Sequence, residues 1–164
     1  MDREAGLRSL EALERLWHER RGDRPLPRRQ DFAFEDFFPW FGHIRIIRVV
    51  HDPDGPPQLE VTLDGTEIVN TAGLDLTGKR LDVVYGSERL SFLLDGYHTC
   101  LRELRPVYET LHPNDRIMHF GEIVRVLLPC GEAGRAEHIL YGEYAFNVWH
   151  WGRTVFADRN DLNM

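Results

Sequence analysis

Three glycines, Gly65, Gly73 and Gly78, break the stretch between residues 65 and 85 into short helical pieces. Glycine reaches positive φ without steric cost, so a chain punctuated this way turns sharply several times within a short span. Upstream, His43 to Val50 (HIRIIRVV) is β-branched and reads as a strand. His51 to Pro57 is a turn with Asp54-Gly55 at its tightest point, and Leu59 to Asp64 alternates apolar and polar as a half-buried second strand. The two strands make an antiparallel hairpin.

Downstream, Ser87 to Leu104 gives the clearest helical pattern. Leu90, Leu93, Leu94, Tyr97, Leu101 and Leu104 share one face, and Pro106 ends the run. Three further strands are expected at Val107–Leu111, Ile117–Leu128 and Glu137–Phe146. An Asn- and Asp-rich turn separates the first two, and Gly131 and Gly134 separate the last two. Two antiparallel groups of strands with helices inserted between them make an α+β domain, with the helices covering one face of a five-stranded sheet.

Two segments precede the hairpin. Residues 2–21 read as a helix with a narrow apolar stripe of Leu7, Leu10, Leu13 and Trp17, stopped by Gly22 and the Pro25/Pro27 pair. Such a stripe suits either packing on its own domain or a homodimer contact through the helix. Asp31 to Phe41 carries six aromatic side chains in its last ten positions, reads as a short helix or turn closed by Pro39, and is expected to plug one end of the core. The resulting partition is an N-terminal helix and linker over 1–24, the domain over 25–146, and a tail with Trp149 and Trp151 over 147–164.

The length of 164 residues fits one domain, and 42% hydrophobic with 29% charged residues is ordinary globular composition. No apolar run approaches the roughly 20 residues that span a bilayer. The charged start Met1-Asp2-Arg3-Glu4 lacks a signal-peptide core, so a cytoplasmic location without membrane insertion is expected. Cys100 and Cys130 have neither CxxC nor zinc-like spacing. The net charge is -7; residues 1–30 hold eight Arg against six acids, so the remainder carries -9. An acidic body disfavours nucleic acid as a partner, because phosphate binding needs a basic face.

The residues from Leu63 to Asp82 (LDGTEIVNTAGLDLTGKRLD) resemble a compact bacterial PAS family first described as a domain of unknown function. That family shows a strand ending in Gly-Thr, then a helix, then Gly-x-Asp-Leu-Thr-Gly-Arg-x-Leu-Asp; here the second half reads Gly73-Leu74-Asp75-Leu76-Thr77-Gly78-Lys79-Arg80-Leu81-Asp82. Arg24-Pro25-Leu26-Pro27 with Asp31, and Arg105-Pro106-Val107-Tyr108, are similar to the family's segments in matching order, over roughly residues 10–146. Gly73 and Gly78 would supply turns, Asp75 and Thr77 a backbone cap, and Leu76 and Leu81 inward contacts. These roles build a fold and carry no chemistry. One departure is that the family often has an Arg in the strand before Gly-Thr, where this chain has Glu60-Val61-Thr62-Leu63.

The resemblance implies a PAS-like sensory or adaptor domain, with no output domain in the same chain, docking a regulatory protein such as a kinase or receptor. It also implies a pocket between sheet and long helix, whose candidate lining is Leu94, Tyr97, Leu101, Ile123 and Tyr141, each equally a core residue. The flavin motif of light sensors of this fold is absent. Haem-binding members use a His on the long helix; His98 lies there, about 90° off the leucine stripe, and reads as a flanking, partly exposed residue, with Cys100 on the opposite flank. His112, His119 and His138 fall on separate strands without a carboxylate or thiol at ligand spacing, so no metal is expected. No catalytic motif occurs, and Glu35/Asp36 or Glu143 near His138 read as solvated faces rather than acid–base pairs. The alternatives are a structural or dimerisation domain without ligand, and a small cone-shaped α+β enzyme. The latter is disfavoured by placing the longest helix in mid-chain.

Overall fold

The computed structural model describes residues 1–112 and 120–148. Five strands form one antiparallel sheet in the order β2-β1-β5-β4-β3: β1 Ile44–Val50, β2 Gln58–Asp64, β3 Val107–Leu111, β4 Phe120–Glu132 and β5 Arg135–Val148. The chain closes the sheet by laying β5 beside β1, so the first and last strands are neighbours. Ala133 and Gly134, with φ of 51° and 71°, join β4 to β5 in the tight turn a two-residue hairpin needs. The fold is the expected PAS-like α+β architecture with an N-terminal helix. The expected turn before β4, His119 and the Trp149 and Trp151 positions lie outside the described residues.

Helix α1 (Arg3–Arg21) is capped by Asp2, whose carboxylate accepts from Ala5 N at 2.7 Å, and ends at Gly22 with φ 56°. Between the hairpin and β3 run α2 (Thr66–Ala72), α3 (Leu81–Val84), a 3-10 turn over Ser91–Leu94, and α4 (Asp95–Glu103). Gly73 at φ 77° and Gly78 at φ 79° make the turns, Thr77 N donates to the Asp75 carboxylate at 2.9 Å, and Leu76 and Leu81 are fully buried.

Two of the expectations about the helices need correction. Helices α2–α4 cover one face of the sheet as expected and α1 covers the other, because β4 and β5 are apolar on both sides: Ile123 and Leu127 face one core, Val124, Val126 and Leu128 the other. The stripe of α1 packs in this second core, with Leu10 and Leu13 fully buried, which is the first of the two roles its narrow stripe suits. The long mid-chain helix is a 3-10 turn followed by the nine residues of α4, and the longest helix is α1 with 19. The change of winding falls where the Leu93 carbonyl accepts from the Arg125 guanidinium at 2.8 Å. The helix-position argument against a cone-shaped enzyme therefore fails, and the sheet order and turn motif carry the fold instead.

The aromatic segment also departs from expectation. It is a 3-10 helix over Phe34–Trp40 with Pro39 inside it. Phe32, Phe37 and Trp40 plug the second core, while Phe34, Phe38 and Phe41 are exposed. None of the described helices is long and apolar enough to cross a membrane.

Candidate functional site

The core between the sheet and α2–α4 contains the charges. Arg45 on β1 and Arg125 on β4 are both 2% exposed and point to this side, along with Glu143 of β5 at 7%. Arg45 meets Asp64 in a two-pronged pair, Nε to Oδ1 at 2.8 Å and Nη2 to Oδ2 at 3.1 Å. Arg125 Nε donates to Glu109 of β3 at 2.7 Å, and its guanidinium lies over the rings of Tyr97 and Tyr141 at 5.3 and 5.8 Å.

A register shift brings Asp64 inward. β1 and β2 pair Val61 with Ile47 and then Leu63 with Ile46, so Thr62 is the extra residue of a bulge. Without it, strict alternation would put Asp64 on the same face as Thr62. With it, Asp64 sits beside Arg45, and its Oδ2 also accepts from Leu76 N at 3.0 Å, tying the Gly73–Gly78 loop to the sheet. Gly65 itself admits no side chain, since a Cβ there would lie 2.3 Å from the Gly42 carbonyl oxygen.

Burial opposes the charge on both arginines, but the surrounding tyrosines and their carboxylate partners hold their pKa values above the ordinary guanidinium range. Burial raises the pKa of Glu143, against the hydrogen bond from Tyr141 and the pull of Arg45 and Arg125. Burial likewise pushes the Tyr97 phenol up to about 12. The Tyr97 hydroxyl lies near Arg45 yet makes no well-formed hydrogen bond among the described residues.

What remains open beside these groups is a cavity of ≈ 30 Å³, lined among others by Arg45, Tyr85, Ile123, Arg125, Tyr141 and Glu143. That is room for about one or two waters and for no planar cofactor. Of the residues expected to line a pocket, Ile123 and Tyr141 reach this cavity, while Leu94 and Tyr97 are buried in the same core and Leu101 packs half-buried at its edge. His98 is exposed on α4 and does not line the cavity. Cys100 is fully buried, and burial raises its thiol pKa far above the ordinary value.

Sequence reasoning missed Arg45, Asp64, Glu109 and Arg125. Arg125 in the apolar run IVRVLL, with both faces needing burial, was the available signal. Glu143 was weighed with His138, but His138 faces the other way along β5 and is half-buried. Glu35 is exposed and Asp36 is held by Arg20 at 2.8 Å. Among the described residues no group of three or more His, Cys, Asp or Glu could hold a metal. A larger open groove of ≈ 450 Å³ lies between the Arg24–Arg28 linker and the β4–β5 turn, but its arginines are engaged by Asp31 and Glu132.

A family model described as PAS domain matches residues 6–133. Among solved structures the chain is similar to a LOV protein from Rhodobacter sphaeroides, at 13% identity and a TM-score of 0.45, over 63% of this chain and 58% of that one. It is also similar to a sensory box sensor histidine kinase from Vibrio cholerae, at 14% identity and a TM-score of 0.47, over 89% of this chain and 98% of that one. No curated protein matches the sequence.

Proposed function

Because the chain belongs to the PAS-domain family, with a sensory or signalling role, we propose that it works through contacts with another protein rather than through a bound cofactor. The observation that carries this reading is the filled pocket. Two arginine–carboxylate pairs and three tyrosines occupy the space between sheet and α4, and ≈ 30 Å³ is left over. On this reading Leu94, Tyr97, Leu101, Ile123 and Tyr141 are core side chains, with residues 25–146 as the signalling unit and α1 bracing it. The module acts in the cytoplasm on a regulatory protein such as a kinase or receptor, has no catalytic step of its own, and carries neither haem nor flavin.

The same filled pocket favours a second reading, a structural domain without a signalling contact. Affinity capture from source cells separates the two. The signalling reading expects a regulatory protein recovered in stoichiometric amount by the folded chain and not by a Trp17→Ala variant with its core disrupted. Recovery of no such protein would leave the structural reading.

A further inference from the structure

Phe34, Phe38 and Phe41 turn away from the core and are 52%, 55% and 61% exposed. They pack edge-to-face on one another, with ring centroids 5.8 Å apart for Phe34–Phe38, 5.6 Å for Phe34–Phe41 and 5.9 Å for Phe38–Phe41. Beside them is an apolar groove of ≈ 170 Å³ whose walls include Phe34, Phe41, Ile44, Leu63, Gly65 and Thr66. A contiguous exposed apolar patch of this kind marks an interaction site more often than a stray surface residue does. The rings brace each other, so little side-chain freedom is left to lose on binding.

The rim of the patch is acidic. Glu35 follows Phe34 and Glu67 opens α2 next to Thr66; both are exposed, and neither carboxylate has an ion pair or hydrogen bond among the described residues. The acids beside them are already taken, Asp36 by Arg20 and Asp64 by Arg45. The nearby cation Arg29 is engaged with the Phe37 ring at 5.3 Å and the Phe32 carbonyl at 3.3 Å. A second copy meeting this face about a two-fold axis would set the same uncompensated acids against each other.

We infer that the Phe34–Phe38–Phe41 face docks an amphipathic helix of a partner protein. That helix inserts a bulky apolar side chain into the groove and sets Lys or Arg against Glu35 and Glu67. The inference rests on the signalling-by-contact reading and supplies its surface and the partner's chemistry.

The test is a titration of the full chain with a short labelled helical peptide bearing Leu on one face and Lys on the other, alongside a counterpart with Glu for Lys. The Lys peptide is expected to bind saturably, and about tenfold more weakly to the Phe34→Ser/Phe38→Ser variant. The Glu35→Gln/Glu67→Gln variant should weaken binding about threefold and reduce its salt dependence, and the Glu peptide should bind at least about tenfold more weakly. Should the double phenylalanine variant melt early, Phe38→Ser alone serves, since Phe38 is 55% exposed and does not line the groove. Affinity unchanged by the phenylalanine substitutions overturns the inference.

Two other occupants have their own signatures. A concentration-dependent dimer in light scattering, lost in Phe34→Ser/Phe38→Ser, would assign the face to a second copy and overturn it. Tighter peptide binding in Trp149→Ser/Trp151→Ser would assign it to the chain's own C-terminal residues and overturn it equally. A captured regulatory protein that binds wild type and the phenylalanine variant alike would sink this surface and leave the signalling reading standing. Peptide binding with no captured partner would do the reverse.

Discussion

The two faces of the sheet bury similar amounts of aliphatic and aromatic side chain, but they treat polarity in opposite ways. On the α1 face the buried polar side chains among the described residues are neutral and paired: Trp17 Nε1 donates to the Pro129 carbonyl at 2.7 Å, Trp40 Nε1 to the Ser9 carbonyl at 2.8 Å, and Ser9 meets Tyr144 at 2.8 Å. On the α2–α4 face Arg45, Arg125, Asp64 and Glu143 are buried, with Glu109 at the margin. Ion pairs in a dry core are weak net stabilisers, and apolar replacements are often no worse. Stability therefore accounts for the α1 face but not for the charges opposite. The charges lie between the sheet and α2–α4 and tie β1, β2, β3, β4 and the Gly73–Gly78 loop into one network.

This contrast is sharpest for substitutions that strand a partner. Arg45→Met leaves the Asp64 side chain, 0% exposed, without its cation and should cost about 3–5 kcal/mol in chemical denaturation. Arg45→Met/Asp64→Leu should recover most of that loss; equal costs for single and double variants would break the distinction between the faces. Leu13→Ala on the α1 face should cost about 2–5 kcal/mol through the cavity it opens. Its effect should add to that of Arg45→Met within about 0.5 kcal/mol, because no partner is shared across the sheet.

A gentler comparison uses two glycines. An added Cβ at Gly96 would sit 2.0 Å from Glu109 Oε2 and displace the carboxylate from Arg125, whereas one at Gly142 would meet the Leu10 and Leu13 methyls at 2.9 Å and Val126 Cγ1 at an ordinary 3.5 Å. Gly96→Ala should lower stability by about 1–3 kcal/mol, and Gly142→Ala by about 1 kcal/mol as the leucine tips shift. The reverse order in thermal unfolding would contradict the picture of a fixed charged face and an adaptable apolar one.

The smallest effect is a pH dependence. Burial raises the pKa of Glu143 above its usual 4.5, so the folded chain holds that proton more tightly than the unfolded one. Its contribution is therefore fully present below the unfolded pKa and is lost as pH rises toward the folded value. Relative to Glu143→Gln, wild-type stability should fall over that window, by up to about 1.4 kcal/mol per pH unit. Parallel profiles would reject the raised pKa.

The sequence made the strands, their bounding turns and the Gly73–Gly78 loop legible because each rests on local chemistry: β-branched runs, glycines at positive φ, and an Asp capping its own turn. The charged site was not legible, because it depends on pairing. Arg45 and Arg48 look alike in IRIIRVV, yet three residues apart they lie on opposite faces of β1, one buried and the other exposed, and Arg45 finds its carboxylate only because the Thr62 bulge swings Asp64 to its side. The second core was hidden for a related reason, since runs apolar on both faces carry no alternation to read. The aromatic segment was legible as apolar, but the division between buried Phe32, Phe37 and Trp40 and exposed Phe34, Phe38 and Phe41 is set by a 3-10 winding that composition does not encode.

The central claim, a PAS pocket occupied by the protein's own charges, is tested most directly by native mass spectrometry of the chain purified from its source cells. The account predicts the mass of the polypeptide with no retained small molecule. A stoichiometric non-covalent ligand, released on denaturation and lost in Arg45→Met/Asp64→Leu, would contradict it.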